Sequence, residues 1–182
     1  MTRILLVDDH QLLRQGIAMT IESEPDFEVV GQAGDAEEAL AVFDDLAPDL
    51  VITDISLPGM NGLELLKNLL AVHPDLPVLV ISRHDEELYA ERSVRAGARG
   101  YVSKLAAGDQ IVVAIRRVLR GGIHLSEDLK DKMLFGAAAG VKDGMQTPLE
   151  VLSDRELEVF EMTGRGIPTR EISERLHLSV KT

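Results

Sequence analysis

Four apolar runs in this chain end on residues able to do chemistry. Residues 3–7 (Arg-Ile-Leu-Leu-Val) lead into Asp8 and Asp9, 50–53 (Leu-Val-Ile-Thr) into Asp54, 77–81 (Pro-Val-Leu-Val-Ile) into Ser82, and 100–103 (Gly-Tyr-Val-Ser) into Lys104. Each run is too short for a helix and reads as a strand buried on both faces. In an open parallel α/β sheet the chemistry sits beyond the carboxyl ends of the strands. Adjacent strands lie about 4.8 Å apart. Two carboxylates about 5 Å apart at an effective dielectric near 20 repel by about 3 kcal/mol, so Asp8, Asp9 and Asp54 call for a cation or a raised pKa. A divalent ion meets that need, and an open site of few carboxylate oxygens suits magnesium better than calcium or zinc. Lys104 adds a second positive charge and Ser82 a hydroxyl donor, so the set is suited to an in-line phosphoryl transfer onto Asp54. A strand-end lysine by itself is usually only a solvated charge; the weight comes from four strand ends with compatible chemistry. The Pro58-Gly59 and Asn61-Gly62 pairs after Asp54 allow a sharp turn and close approach of the backbone to a ligand.

The elements that must deliver these groups can be read in order. A helix is predicted after Asp9 through Leu12, Leu13, Ile17, Met19 and Ile21, stopping at Glu24-Pro25. Phe27 to Val30 is a further strand. Asp35 with Glu38 is a capping signal for a helix through Leu46, which Pro48 closes. Leu63 to Leu70 marks the next helix, Asp85 caps one that Gly97 stops, and Ile111 to Leu119 forms one closed by Gly121-Gly122. Strand and helix alternate five times, which implies a five-stranded doubly wound parallel sheet with right-handed crossovers, an α/β fold over residues 1–122. Residues 123–148 read as a linker with one short helix starting at Ser126, then glycine-rich turn chemistry from Gly136 to Gly144. Residues 149–182 read as the first part of an all-α domain: a capping box at Ser153 and Glu156, a helix broken at Gly164-Arg-Gly166, a second capped by Thr169, and the start of a third capped by Ser179.

Bulk properties narrow the function classes. With a net charge of −12, and with 20 acidic against 11 basic residues in the first 124, nonspecific nucleic-acid binding by the chain is disfavoured. Zero cysteines remove disulfides and thiolate metal sites, and the five histidines show no zinc-type pairing. No apolar run approaches a membrane span and no signal peptide is evident, so a cytoplasmic protein without a membrane partner is expected.

Asp8-Asp9, Asp54 with Pro58-Gly59 and Asn61-Gly62, Ser82, Tyr101 and Lys104 together resemble the receiver domain of two-component response regulators, a flavodoxin-like fold. Leu152-Ser-Asp-Arg-Glu-Leu-Glu-Val and the stretch from Thr169 to Thr182 resemble the LuxR-type helix-turn-helix, which places the chain with the NarL/FixJ subfamily. The resemblance implies Asp54 as phospho-acceptor. It implies Asp9 as a direct Mg2+ ligand, Asp8 acting largely through water, and the Ser56 carbonyl as a further ligand. Ser82 and Tyr101 become a switch pair, Tyr101 moving inward on phosphorylation, and Lys104 stabilises the phosphoryl group. Ser56, Arg83 and His84 are the positions that tune its lifetime, and Thr169, Ser179, Lys181 and Thr182 are the part of the DNA-binding surface present. A sensor histidine kinase as donor, homodimerisation on phosphorylation and control of transcription are implied. The transfer and the later hydrolysis are self-catalysed, so the protein is not an enzyme in the ordinary sense.

Arg83 departs from the pattern, since receivers usually carry something small or apolar there; a long cation beside the acceptor either screens the phosphoryl group or grips it. The groove-reading helix is expected to lie beyond residue 182, so DNA binding is expected of the complete protein and not of these residues alone. A phosphatase of the haloacid dehalogenase type would need a second aspartate two residues past Asp54, where this chain has Ser56. The other reading is a receiver acting by protein contact or phosphate relay without DNA.

Overall fold

Strand and helix alternate in the computed structural model as the apolar pattern predicts; it describes residues 1–83, 86–131, 151–176 and 178. The order is β1 (Thr2–Val7), α1 (Gln11–Glu22), β2 (Phe27–Ala33), α2 (Ala36–Leu46), β3 (Leu50–Asp54), α3 (Gly62–Val72), β4 (Val78–Ser82), α4 (Glu86–Arg95), β5 (Gly100–Ser103) and α5 (Ala107–Leu119), followed by α6 (Asp154–Gly164) and α7 (Thr169–Arg175). The strands form one sheet in the order β2-β1-β3-β4-β5, with every pair parallel. The order reverses between β1 and β3, the place in such a sheet where a crevice opens.

The continuous apolar character of the strands follows from burial on both sides. Ile4, Leu6, Leu50, Ile52, Leu79, Ile81 and Val102 face Ile17 and Ile21 of α1 and Ile111, Ala114, Ile115 and Val118 of α5 in one core cluster. Their neighbours Leu5, Val7, Val51, Val78, Val80 and Tyr101, equally buried, face the layer of α2, α3 and α4.

Caps set the helix starts. The Asp35 side chain accepts from Glu38 N at 2.8 Å, as the sequence predicts. α2 ends on Ala47 in the left-handed region at φ 40°, directly before Pro48. At α3 the structure adds a capping box absent from the sequence reading: Asn61 accepts from Glu64 N at 2.9 Å while Glu64 reaches back to Asn61 N at 3.3 Å. α5 begins at Ala107, earlier than Ile111, because its first turn is polar and gives no apolar periodicity to read. Gly97, at φ 107°, stands where α4 stops. The expected cap Asp85 lies outside the described residues.

Past α5 the chain returns to the sheet. His124 forms an isolated parallel bridge to Gly100, with Tyr101 N donating to His124 O and His124 N to Arg99 O, both at 2.9 Å. The polypeptide divides into two compact units, Met1–Leu125 and Ser126–Thr182. In the second unit the described residues 127–131 are helical, in line with the short helix expected after Ser126. Ser153 and Glu156 form the predicted capping box of α6. The reading of Thr169 as a cap is corrected: Pro168 holds the extended N-cap conformation, Thr169 is the first helical residue, and no side chain caps α7. Arg155 joins the two helices by donating to Leu176 O at 2.6 Å and pairing with the buried Glu158 at 2.8 Å. Gly136 to Gly144, Ser179, Lys181 and Thr182 lie outside the described residues. No described helix is long and apolar enough to cross a membrane.

Candidate functional site

Parallel strands share one polarity, so the residues that follow them arrive at one edge of the sheet. Val7 pairs with Thr53 across β1 and β3, Asp54 with Ile81 across β3 and β4, and Ser82 with Ser103 across β4 and β5. Asp8, Asp54, Ser82 and Lys104 therefore line up in turn, and all four are buried.

Asp54 is 2% exposed, with Oδ1 accepting from Ile55 N at 2.7 Å and Oδ2 accepting from Lys104 Nζ at 2.6 Å. Burial pushes its carboxyl above the ordinary carboxylate range, Lys104 opposes that rise, and the charges of Asp8 and Asp9 add to it. The turn after β3 is tight. Gly62 N donates to Ile55 O at 2.8 Å, and a Cβ on Gly62 would sit 1.7 Å from the Asp54 carbonyl oxygen. Only glycine fits where α3 begins, so the helix start lies against Asp54 itself.

Asp8 is inaccessible to solvent. Its Oδ1 accepts from His10 N at 2.8 Å, its carbonyl accepts from Arg14 Nη1, and its Oδ2 lies 2.7 Å from Lys104 Nζ as an ion pair without hydrogen-bond geometry. Lys104 thus bridges two buried carboxylates, with its own backbone N held by Ser82 O at 2.8 Å. Asp9 is exposed, and His10 Nδ1 lies 2.5 Å from its Oδ1. One ligand atom from each of Asp8, Asp9, His10 and Asp54 falls within a sphere of mutual distances no greater than 4.8 Å.

The single Lys104 charge is shared between Asp8 Oδ2 and Asp54 Oδ2, which leaves the group of three carboxylates net negative. Three carboxylates converging on one point, open to solvent on the Asp9 side, fit a hard divalent ion.

The structure thus brings Asp8, Asp9, Asp54, Ser82 and Lys104 to one edge. Ser56 stands in the loop two residues past Asp54, half-buried, and Arg83 is exposed directly after Ser82. Tyr101 is 2% exposed and already packed inside, so the expected inward movement has no outward starting point here. His84 lies outside the described residues. Sequence reasoning missed His10 and Arg14. The signal for Arg14 was its place one turn into α1, from which a long side chain folds back over the strand end.

In the second unit Thr169 is exposed at the start of α7. Leu157, Ile172 and Leu176 are buried between the helices. An apolar groove of about 690 Å³ lies between Val159, Phe160, Ile172 and Leu178.

Comparison with known proteins agrees with this geometry. Residues 4–116 match the family described as the response regulator receiver domain, and residues 150–182 match the bacterial regulatory proteins of the luxR family. The response regulator UvrY of Escherichia coli K12 is 36% identical over 182 residues, covering 100% of this chain and 83% of the relative. GacA of Pseudomonas protegens is also 36% identical, covering 100% of this chain and 84% of its own length. The crystal structure of a LuxR-family two-component response regulator from Aurantimonas sp. SI85-9A1 aligns with a TM-score of 0.69 at 33% identity, over 76% of this chain and 99% of that one. Matched end to end by such relatives, the chain belongs to the two-component response regulators, a receiver domain joined to a LuxR-type DNA-binding region that serves transcription regulation.

Proposed function

We propose that Asp54 is the phospho-acceptor of this regulator and that the transfer depends on magnesium. The observation that carries the reading is the buried Asp54 carboxylate, bound to Lys104 Nζ at 2.6 Å beside the fully buried Asp8. A carboxylate oxygen of Asp54 forms the new O–P bond while the P–N bond of a phosphohistidine on the sensor kinase breaks, and the imidazole so released takes up a proton. Lys104 leaves the carboxylate oxygen for a phosphoryl oxygen, so its charge follows the negative charge as it develops. Asp9 and Asp54, the Ser56 carbonyl, and Asp8 through water would hold Mg2+, which supplies charge neutralisation at the transferring group. Hydrolysis of the acyl phosphate is self-catalysed, and Ser56, Arg83 and His84 tune its rate.

Output follows from Ser82 and Tyr101. The hydroxyl turns toward the phosphoryl oxygens, Tyr101 is fixed in its buried position, and the surface of α4, β5 and α5 gains preference for a partner, a second receiver in a homodimer. We assign 1–122 to the receiver, 123–148 to the linker and 149–182 to the DNA-binding region, where Thr169, Ser179, Lys181 and Thr182 approach DNA. A cytoplasmic location agrees with this role. The test is incorporation of label from acetyl phosphate. Label in the wild type that is lost with a chelator and in Asp54→Asn supports the proposal; undiminished label in Asp54→Asn moves the acceptor elsewhere.

A further inference from the structure

We propose that His10 is a fourth donor to the metal site and turns its preference from magnesium toward borderline divalent ions such as Co2+, Ni2+ and Zn2+. The inference rests on the reading of the acidic cluster as a metal site and extends it to a residue with no part in that reading.

The position of His10 is fixed by the cluster itself. Its backbone N donates to Asp8 Oδ1 at 2.8 Å, which anchors the residue at the strand end. It occupies the N-cap of α1, yet its side chain makes no capping hydrogen bond. The imidazole turns to the carboxylates instead, with Nδ1 at 2.5 Å from Asp9 Oδ1 and 3.5 Å from Asp8 Oδ1. A ligand atom of His10 lies within 4.8 Å of one from each of Asp8, Asp9 and Asp54. Opposite ligands with bonds of about 2.1 Å lie about 4.2 Å apart, so the group would have to draw in by a few tenths of an ångström to close on an ion. At the same place Asp8 Oδ2, buried and without a hydrogen-bond donor, faces the Lys104 ammonium at 2.7 Å, a charge that it shares with Asp54.

Carboxylate, carbonyl and water favour hard ions, whereas imidazole nitrogen favours the later first-row metals, whose affinities for a given nitrogen site rise from Mn2+ to Cu2+. An aspartate cluster without the imidazole would rank ions mainly by charge and size. With the imidazole as donor, the same cluster gains affinity for Co2+ while its affinity for Mg2+ changes little, because Mg2+ keeps its waters and takes oxygen ligands.

The experiment is calorimetric titration of the 182-residue chain with Mg2+ and, separately, Co2+. Only the Co2+ displaced by excess Mg2+ is counted, so that the other histidines do not enter. Wild type, His10→Gln and His10→Ala are compared, each first checked for cooperative thermal unfolding. The preference for Co2+ over Mg2+ should fall by about tenfold in both variants, and the visible absorption of bound Co2+ should move toward that of an all-oxygen shell. A preference within about twofold of wild type in His10→Gln, with an unchanged Co2+ spectrum, overturns the assignment. The wild type gives a reading free of any folding effect: a paramagnetically shifted imidazole N–H in the Co2+ form supports ligation, and its absence overturns it. Failure of the wild type to bind either ion would overturn the metal site altogether, whereas Mg2+ binding with an unchanged preference would overturn only the role of His10.

Discussion

At the scale of single residues the site is governed by one ammonium set between two buried carboxylates. The folded-state pKa of Asp54 is raised, so for this group stability is greatest below the ordinary carboxylate pKa and declines as pH rises through the folded value. Asp54→Asn removes that loss along with the repulsion from Asp8 and Asp9. It should raise the melting temperature by a few degrees at pH 7, an effect that fades toward about pH 4; a thermal melt series across pH checks both sign and window. Lys104→Met leaves Asp8 and Asp54 buried without their counterion and should cost about 3 kcal/mol. Added Mg2+ should restore part of that loss, and paired urea titrations with Mg2+ or chelator provide the measurement. Asp8, Asp54, Ser82 and Lys104 were legible from sequence because chain polarity alone delivers the ends of parallel strands to one edge. His10 was not, since the direction of an N-cap side chain depends on loop geometry that no periodicity encodes. The buried state of Tyr101 escaped for a related reason: alternation assigns its face of the sheet, but the room available to the ring is set by side chains around it.

At the scale of elements, two contacts hold the frame. α3 starts against the Asp54 carbonyl, and Gly62→Ala drives a Cβ into that oxygen. The expected cost is about 3 kcal/mol in urea unfolding, with slower acetyl-phosphate labelling, because α3 must move away from Asp54. Asn61-Gly62 read from sequence as a turn pair that lets the backbone approach a ligand; that Gly62 approaches the Asp54 backbone became visible only with both segments in place. On the opposite face α5 is tied to the turn between α1 and β2. Arg116 pairs with Glu24 and with Asp26, each at 2.6 Å, and its guanidinium lies 4.7 Å from the Phe27 ring centroid. Arg116 holds the Asp26 carboxyl below its ordinary value, and the Ser153 cap does the same for Glu156. Lowered folded-state values mean that both contributions are present above the unfolded pKa and are lost as pH falls through the folded one. Arg116→Gln should therefore flatten the acid limb of the stability curve below about pH 4, as denaturant midpoints at a series of pH values would read. Helix and strand identities were legible throughout the first unit, because apolar runs and caps agree. Starts such as that of α5 were not, since a polar first turn looks like loop.

At the scale of the whole molecule, the first unit extends to Leu125, three residues past the boundary of 122 that composition suggests. Gly121-Gly122 resembles an end in composition, while His124 still makes two backbone hydrogen bonds, one to Tyr101 of the last strand and one to Arg99 just before it. A fragment of residues 1–125 should fold alone and accept label, whereas 1–122 should be less stable by about 1–2 kcal/mol, the worth of two backbone hydrogen bonds. Native-state amide exchange at Tyr101, faster in the shorter fragment, locates the loss. That small clasp also bears on how the protein behaves when crowded. An open parallel sheet exposes two borders, and an uncovered border is a template on which a neighbouring polypeptide lays down another strand, the first step toward fibrous aggregates. β5 is only four residues long, and His124 takes up hydrogen-bonding groups on its outer border. At the far border, the pairing of β2 with β1 shifts register between Ile4 and Leu5, and β2 carries the exposed, charged Glu28. Copies of this protein brought together at high concentration are thereby turned away from endless strand addition and left to meet through their helices, where contacts are finite and reversible.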